Sequence, residues 1–180
     1  DYPRLPEYPT MMQKLVSAGK DVYTVGKIDD IFAHQGITKK NHVLTNVESL
    51  DVTLKLLDED FEGLMFVNLI EFDMIYGHRN DARGYADALE QFDSYVPEIE
   101  KRMKLGDMVI ITGDHGVDPT TPGTDHSREY VPLLAFGPQV KPSVDLGIRE
   151  SLGDIAGTLA EIFSLEPQPI GKSFLGDILS

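Results

Sequence analysis

The chain is 180 residues long, 41% hydrophobic and free of cysteine, and its 16 basic against 30 acidic side chains give a formal charge of −14. That length allows one domain with a substantial core; the charge disfavours nucleic acid and anionic membranes, which bind through Lys and Arg; the lack of cysteine excludes disulfides and thiolate ligands, so a metal has to be held by Asp, Glu, His or hydroxyl oxygen. No apolar run approaches the roughly 20 residues that span a bilayer, and "DYPRLPEYPT" has neither the basic nor the apolar region of a signal peptide, so a soluble, cytoplasmic protein is expected.

Helical and extended patterns alternate along the chain. "TMMQKLVSAGK" puts Met12, Leu15 and Val16 on one face and stops at Gly19, predicting a helix closed by a left-handed residue. "DVYTVGK" reads as a short strand with Val22, Thr24 and Val25 ahead of a glycine turn. The following "GKIDDIFAHQGITKKNHVLTN" has no sustained period and is expected to be a long loop. Thr45 and Glu48 have the spacing of a capping box, with Val47, Leu50, Leu54 and Leu57 at helical intervals behind them. "GLMFVNLIEF" is almost continuously apolar, the pattern of a strand buried on both faces. Ala88, Leu89, Phe92, Val96, Ile99 and Met103 then describe an amphipathic helix, with Pro97 expected to break or kink it. "DMVIIT" reads as a second buried strand, "YVPLLAFG" as a third extended run, "GPQVKPSVDLG" as a surface loop, and "SLGDIAGTLAEIF" as a last helix with Leu152, Ile155, Leu159, Ile162 and Phe163 on one stripe. No internal repeat interrupts this order, and residues 1–180 are read as a single domain.

Such alternation implies an α/β fold, a mostly parallel sheet with helices on both faces, in which ligands sit beyond the carboxyl ends of the strands. Two polar clusters stand there: "DMIYGHRND" after the first long apolar run, and "GDHGVDPTTPGTDH" after "DMVIIT". Carboxylate and imidazole side chains held at rigid strand ends make a metal site. Asp73 and His78, five residues apart, suit a turn that brings both to one point. Asp114 and His115 are adjacent and in extended chain would point to opposite sides, which fits two neighbouring ions better than one. His126 can return through the Gly-Pro loop to complete either site. One such cluster alone is commonly structural, since Asp-Gly and Asp-Pro make turns; both together point to metal. His34 and His42 read as surface residues, Asp29 and Asp30 as solvated, and Asp118 and Asp125 as turn-formers.

These motifs resemble a specific family. "VGKIDDIF", "VNLIEFDMIYGHRND", "ITGDHG" and "GTDHSREYVPLLAF" look like phosphopentomutase, of the alkaline phosphatase superfamily, in order and with matching spacing from about Lys14 to "GKSFLGDIL". The related cofactor-independent phosphoglycerate mutases share "DHG" but not the "GTDH-REYVP" continuation. The resemblance implies part of an alkaline-phosphatase-like core carrying two divalent ions side by side, usually manganese. Asp73, His78 and His126 match the ligands of one ion; Asp114 and His115 match two ligands of the other. Lys27 matches a residue that meets the substrate phosphate, and Arg79 is a weaker candidate for the same role. Asn80 stands where the family commonly has a second Arg.

The implied reaction moves phosphate between the C1 and C5 oxygens of ribose or deoxyribose through a phosphothreonine and a bisphosphate. Thr112, Thr124 and Ser127 match no nucleophile. The nucleophilic threonine, a further Asp ligand on the first strand, and the cap that recognises the pentose phosphate are expected upstream of Asp1. The chain is therefore expected to be a C-terminal portion of the catalytic core that partners those parts and is inactive alone. From the residues themselves, a related metal-dependent phosphomutase or phosphatase with another substrate, or a non-catalytic metal-binding module, also fit.

Overall fold

The computed structural model describes residues 5–179. Helix α1 (Met11–Ser17) starts at a capping box in which Thr10 and Gln13 satisfy each other's backbone amides, and it buries Met11, Met12 and Leu15. Gly19 follows at φ +76, the left-handed residue expected there. Strand β1 (Asp21–Val25) is the centre of a three-stranded parallel sheet, flanked by β2 (Lys39–Asn41) and β3 (Gly63–Val67) in the order β2-β1-β3. Its central place accounts for the complete burial of Val22 and Val25. Met11, Met12, Leu15, Val22, Ile28 and Ala160 form one core cluster, with α1 lying between the sheet and the later helix α5.

The stretch expected to be a long loop contains two elements, α2 (Ile28–Ile31) and β2. Each is too short to show a period, and β2, "KKN", owes its extended form to pairing with β1 and not to its composition. Helix α3 (Asn46–Leu57) has the expected Thr45/Glu48 capping box, but the face it buries is Asn46, Ser49, Leu50, Thr53 and Leu56, not the full Val47–Leu57 stripe. The hydroxyls of Ser49 and Thr53 donate to backbone carbonyls one turn back, at 2.9 and 2.7 Å, so these small residues can be buried without an unmet donor.

Strand β3 is not buried on both faces: its residues are half-buried, and Phe66 is 38% exposed. Helix α4 (Ala82–Arg102) is a single 21-residue helix that runs through Pro97 without a break. Pro97 and Asp93 both face solvent, so the carbonyl released by the missing N–H can bond to water. Strands β4 (Val109–Thr112) and β5 (Leu133–Phe136) pair antiparallel, a departure that the alternation of elements does not reveal, and among the described residues they do not join the parallel sheet.

Helix α5 (Gly153–Ile162) turns Asp154, Gly157, Thr158 and Ala160 inward, leaving the expected stripe residues Leu152 and Ile162 exposed. The C-terminal segment causes this rotation, because it docks through its backbone. The Lys172 amide donates to Asp154 Oδ1 at 2.8 Å and the Phe174 amide to Thr158 Oγ1 at 3.1 Å. Phe174 is fully buried, one residue ahead of the terminal helix α6 (Leu175–Ile178). Asp154 also takes a 2.7 Å bond from Arg149 Nε. Burial by itself would raise the Asp154 carboxyl, but the Lys172 amide, the Arg149 bond and their charges outweigh it and hold the group below its usual value. A carboxyl depressed in the folded state stabilises fully above its unfolded value, and that stability is lost as pH falls through the folded one. Asp154→Asn is therefore expected to melt below the wild type near neutral pH, by a gap that closes only in acid below the ordinary carboxylate range; thermal unfolding across pH reads this directly.

Candidate metal centre

The first cluster is built by an unusual turn. After β3 the chain is anchored by buried Ile70 and then winds into one turn of π-helix, Phe72–Gly77. The His78 amide donates to the Asp73 carbonyl at 3.0 Å, an i to i+5 bond that stacks residue 78 over residue 73. The five-residue spacing seen in the sequence is the period of that turn. Gly77 is where the widened turn is tightest: a Cβ there would lie 2.6 Å from Val117 Cγ2 and 3.1 Å from the Phe72 carbonyl oxygen. The turn is tied to α3 by a reciprocal clasp, in which the Asn46 amide donates to Glu71 Oε2 at 2.5 Å and the Glu71 amide to Asn46 Oδ1 at 3.1 Å. Sequence reasoning missed Asn46 and Glu71, and no local signal marks two residues paired across 25 positions.

The second cluster lies in the loop after β4. Its base is closed by an antiparallel bridge between Gly116 and Ser127, with the Ser127 amide donating to the Gly116 carbonyl at 3.0 Å. Gly116 is required by this close approach, since a Cβ would sit 2.6 Å from the Ser127 carbonyl oxygen. The loop returns His126 to the first cluster. His78 Nε2 and His126 Nε2 each lie 3.3 Å from Asp73 Oδ1, and ligand atoms of the three residues are all within 4.8 Å of one another.

Asp73 Oδ1 is buried and accepts no hydrogen bond, so neither imidazole points an N–H at it. His78 Nδ1 is in hydrogen-bond contact with the Thr124 carbonyl, which can only accept, so Nδ1 carries a proton and Nε2, 3.3 Å from Asp73 Oδ1, is the ring nitrogen placed where a ligand atom would be. A carboxylate oxygen and two imidazole nitrogens gathered this closely form a donor set that a divalent cation fits. Two ligands about 2.1 Å from one ion at the tetrahedral angle stand about 3.4 Å apart; the observed 3.3 Å separations fit.

Asp114 and His115 are not in an extended chain: it bends after β4, and His115 Nε2 comes to 3.7 Å from Asp114 Oδ1 instead of pointing away. His115 Nδ1 contacts the Gly116 carbonyl at 3.2 Å, the same arrangement that frees Nε2 in His78. The His115 ring stacks on that of His126 at 3.6 Å, so the two clusters are contiguous. Asp114 and His115 do not gather a third ligand among the described residues.

Lys27, at the start of α2, sets its ammonium 2.8 Å from Met74 Sδ, beside the π-turn. Arg79 is exposed, two residues beyond that turn. Tyr85 packs tilted on Phe72 at 5.1 Å, and burial together with the negative charge of Asp73 raises its hydroxyl, which therefore stays protonated. Asp29 is not solvated as expected; it is 8% exposed and bonded to His34 Nδ1 at 2.9 Å and Lys40 Nζ at 3.2 Å. Asp29, Asp30 and His34 also come within ligating distance of one another, but the Lys40 ammonium already neutralises the Asp29 carboxylate. Asp118 makes its turn as expected, accepting from the Thr120 amide and hydroxyl at 2.8 and 2.6 Å.

The parallel sheet, with a carboxylate and imidazoles gathered beyond its strand ends, defines the core of an α/β metalloenzyme. The chain belongs to the Metalloenzyme superfamily, whose profile matches residues 1–167. It is 58% identical over 178 residues to the phosphopentomutase of Herpetosiphon aurantiacus and 54% identical over 178 residues to that of Carboxydothermus hydrogenoformans, matching 99% of this chain and 46% of each relative. The chain thus spans about half the length of the curated relatives it matches. In fold it is similar to phosphoglycerate mutase of Leishmania mexicana, with a TM-score of 0.68 at 16% identity over 94% of this chain and 39% of that one. A protein of Pyrococcus horikoshii gives 0.64 at 18% identity, over 93% and 54%. Among the described residues no helix is long and apolar enough to cross a membrane.

Gly77→Ala is expected to destabilise the protein by about 1–3 kcal/mol, the cost of overpacking a site that cannot relax, because the neighbour it meets is a branched Val117 side chain. Chemical denaturation measures this.

Proposed function

We propose that this chain forms the metal-binding part of a phosphopentomutase, interconverting (deoxy)ribose 1-phosphate and (deoxy)ribose 5-phosphate. The observation that carries the reading is the buried, unbonded Asp73 Oδ1 facing two imidazole nitrogens at 3.3 Å. Asp73, His78 and His126 would hold one divalent cation, manganese by the family resemblance, and Asp114 with His115 would supply ligands to a second. Stacking of His115 on His126 supports adjacent sites. Ions bound there would neutralise phosphate charge and lower the pKa of a coordinated hydroxyl.

The chain's own residues do the rest by positioning, which is the main requirement of phosphoryl transfer. The Thr124 and Gly116 carbonyls orient His78 and His115 through Nδ1. Lys27 presents a cation to the substrate phosphate from the rim of the π-turn, with Arg79 just beyond that turn as a second candidate. In a chain of charge −14, such local positive charge is needed to draw in an anionic substrate. The phosphoryl-carrying threonine and the cap that reads the sugar are assigned to sequence outside these 180 residues, in keeping with the twofold greater length of the relatives.

Two measurements test this. Asp73→Ala and His126→Ala should each weaken Mn2+ binding by more than the roughly 10–100-fold that loss of a supporting hydrogen bond costs; unchanged affinity in both removes them from the ligand set. Phosphorus NMR should show no interconversion of ribose 1-phosphate and ribose 5-phosphate by the chain alone. It should show interconversion once the remaining portion of the longer polypeptide is supplied. Turnover by the chain alone would contradict the assignment of the nucleophile.

A further inference from the structure

The loop between Gly116 and Ser127 must hold His126, and the Thr124 carbonyl that orients His78, in place. Its base is fixed by the Gly116–Ser127 bridge and its first turn by Asp118. At the bend itself Gly123 sits at φ +109, and a side chain there would meet nothing within 4 Å; the next packing contact is His126, stacked on His115 at 3.6 Å. What grips this stretch comes from the residues just after the π-turn. Asn80 Nδ2 donates to the Thr121 carbonyl at 3.0 Å, and His78 Nδ1 reaches the Thr124 carbonyl, so two side chains hold the loop on either side of its bend. Asn80 does so from a left-handed backbone at φ +54, which asparagine tolerates better than most residues with a Cβ.

One of the two grips is made by a candidate ligand. If the loop swings away, His78 loses the acceptor that holds its ring with Nε2 beside Asp73, and His126 moves with the loop. We propose that Asn80 is a positioning residue of the metal centre: its amide latches the Thr121 carbonyl and so keeps the loop closed on the π-turn, with His78 and His126 both facing Asp73. This rests on the metal-centre reading given above. Asn80 holds neither ion nor substrate; its influence passes through Thr121.

The test is a Co2+ titration of the protein, followed by the ligand-field spectrum, for wild type, Asn80→Gly and His126→Ala, with hydrogen exchange of residues 118–126 in the metal-free state. Glycine keeps the left-handed backbone accessible and removes only the side-chain bond. Asn80→Gly is expected to bind Co2+ about fivefold more weakly, the effect of losing one net hydrogen bond. It should reach the wild-type spectrum at saturation, because no ligand is lost, and exchange faster across 118–126. His126→Ala should change the saturated spectrum itself. Wild-type affinity and exchange in Asn80→Gly, alongside normal binding by the wild type, would overturn the latch alone. A wild type that binds no Co2+ would overturn the metal reading and the latch with it.

Discussion

The hydrogen bond from the His78 amide to the Asp73 carbonyl sets the geometry on which the candidate centre depends. An ordinary α-helical turn would place residue 77 above residue 73 and rotate the next side chain about 100° away. Here residue 77 is glycine, and the turn widens by one residue, so His78 falls over Asp73. The surroundings are arranged to hold this less favoured form. Val117 and the Phe72 carbonyl leave no room for a side chain at Gly77, the Asn46–Glu71 clasp ties the turn to α3, and buried Ile70 fixes its approach from β3.

Once the turn is formed, the electrostatics follow from hydrogen bonding at the far side of each ring. A backbone carbonyl at Nδ1 leaves Nε2 as an acceptor, and this arrangement occurs at both His78 and His115. Asp73 Oδ1, buried and without a hydrogen bond, has His78 Nε2 and His126 Nε2 each at 3.3 Å, a donor set that a cation fits. Asp29 shows the contrast: it too is buried among polar groups, but its lone pairs are met by His34 and Lys40, and burial is outweighed by those bonds so that its carboxyl is held below its usual value. The Asp29 cluster satisfies its own carboxylate, whereas Asp73 Oδ1 has no hydrogen-bond partner among the described residues.

Much of this was legible locally. The Thr45/Glu48 capping box and the Gly19 stop follow from side chains that bond or bend within four residues, and both are present as expected. The parallel pairing of β1 with β3 follows from the alternation of elements, whereas β2 lies in the stretch expected to be a loop. The buried faces of α3 and α5 were not legible, because Ser49, Thr53, Asp154 and Thr158 are polar by type and become interior only when a specific carbonyl or amide meets them. The antiparallel pairing of β4 with β5 was hidden for a similar reason, since strand direction depends on the path of the loop between them.

The sequence by itself determined which residue types stand at the strand ends, that only oxygen and nitrogen ligands are on offer, and that Asp73 and His78 are five apart. Those are properties of composition and spacing, independent of how the chain packs. The tertiary structure decided that the spacing becomes a π-turn, that His126 and not a nearer residue completes the group, and that Asn46, Glu71 and Asn80 hold it. Each of these depends on contacts between residues 25 to 53 positions apart, such as the Asn46–Glu71 clasp and the meeting of His126 with Asp73. Such contacts exist only once the loops have closed and the entropy of closing them has been offset by burial elsewhere.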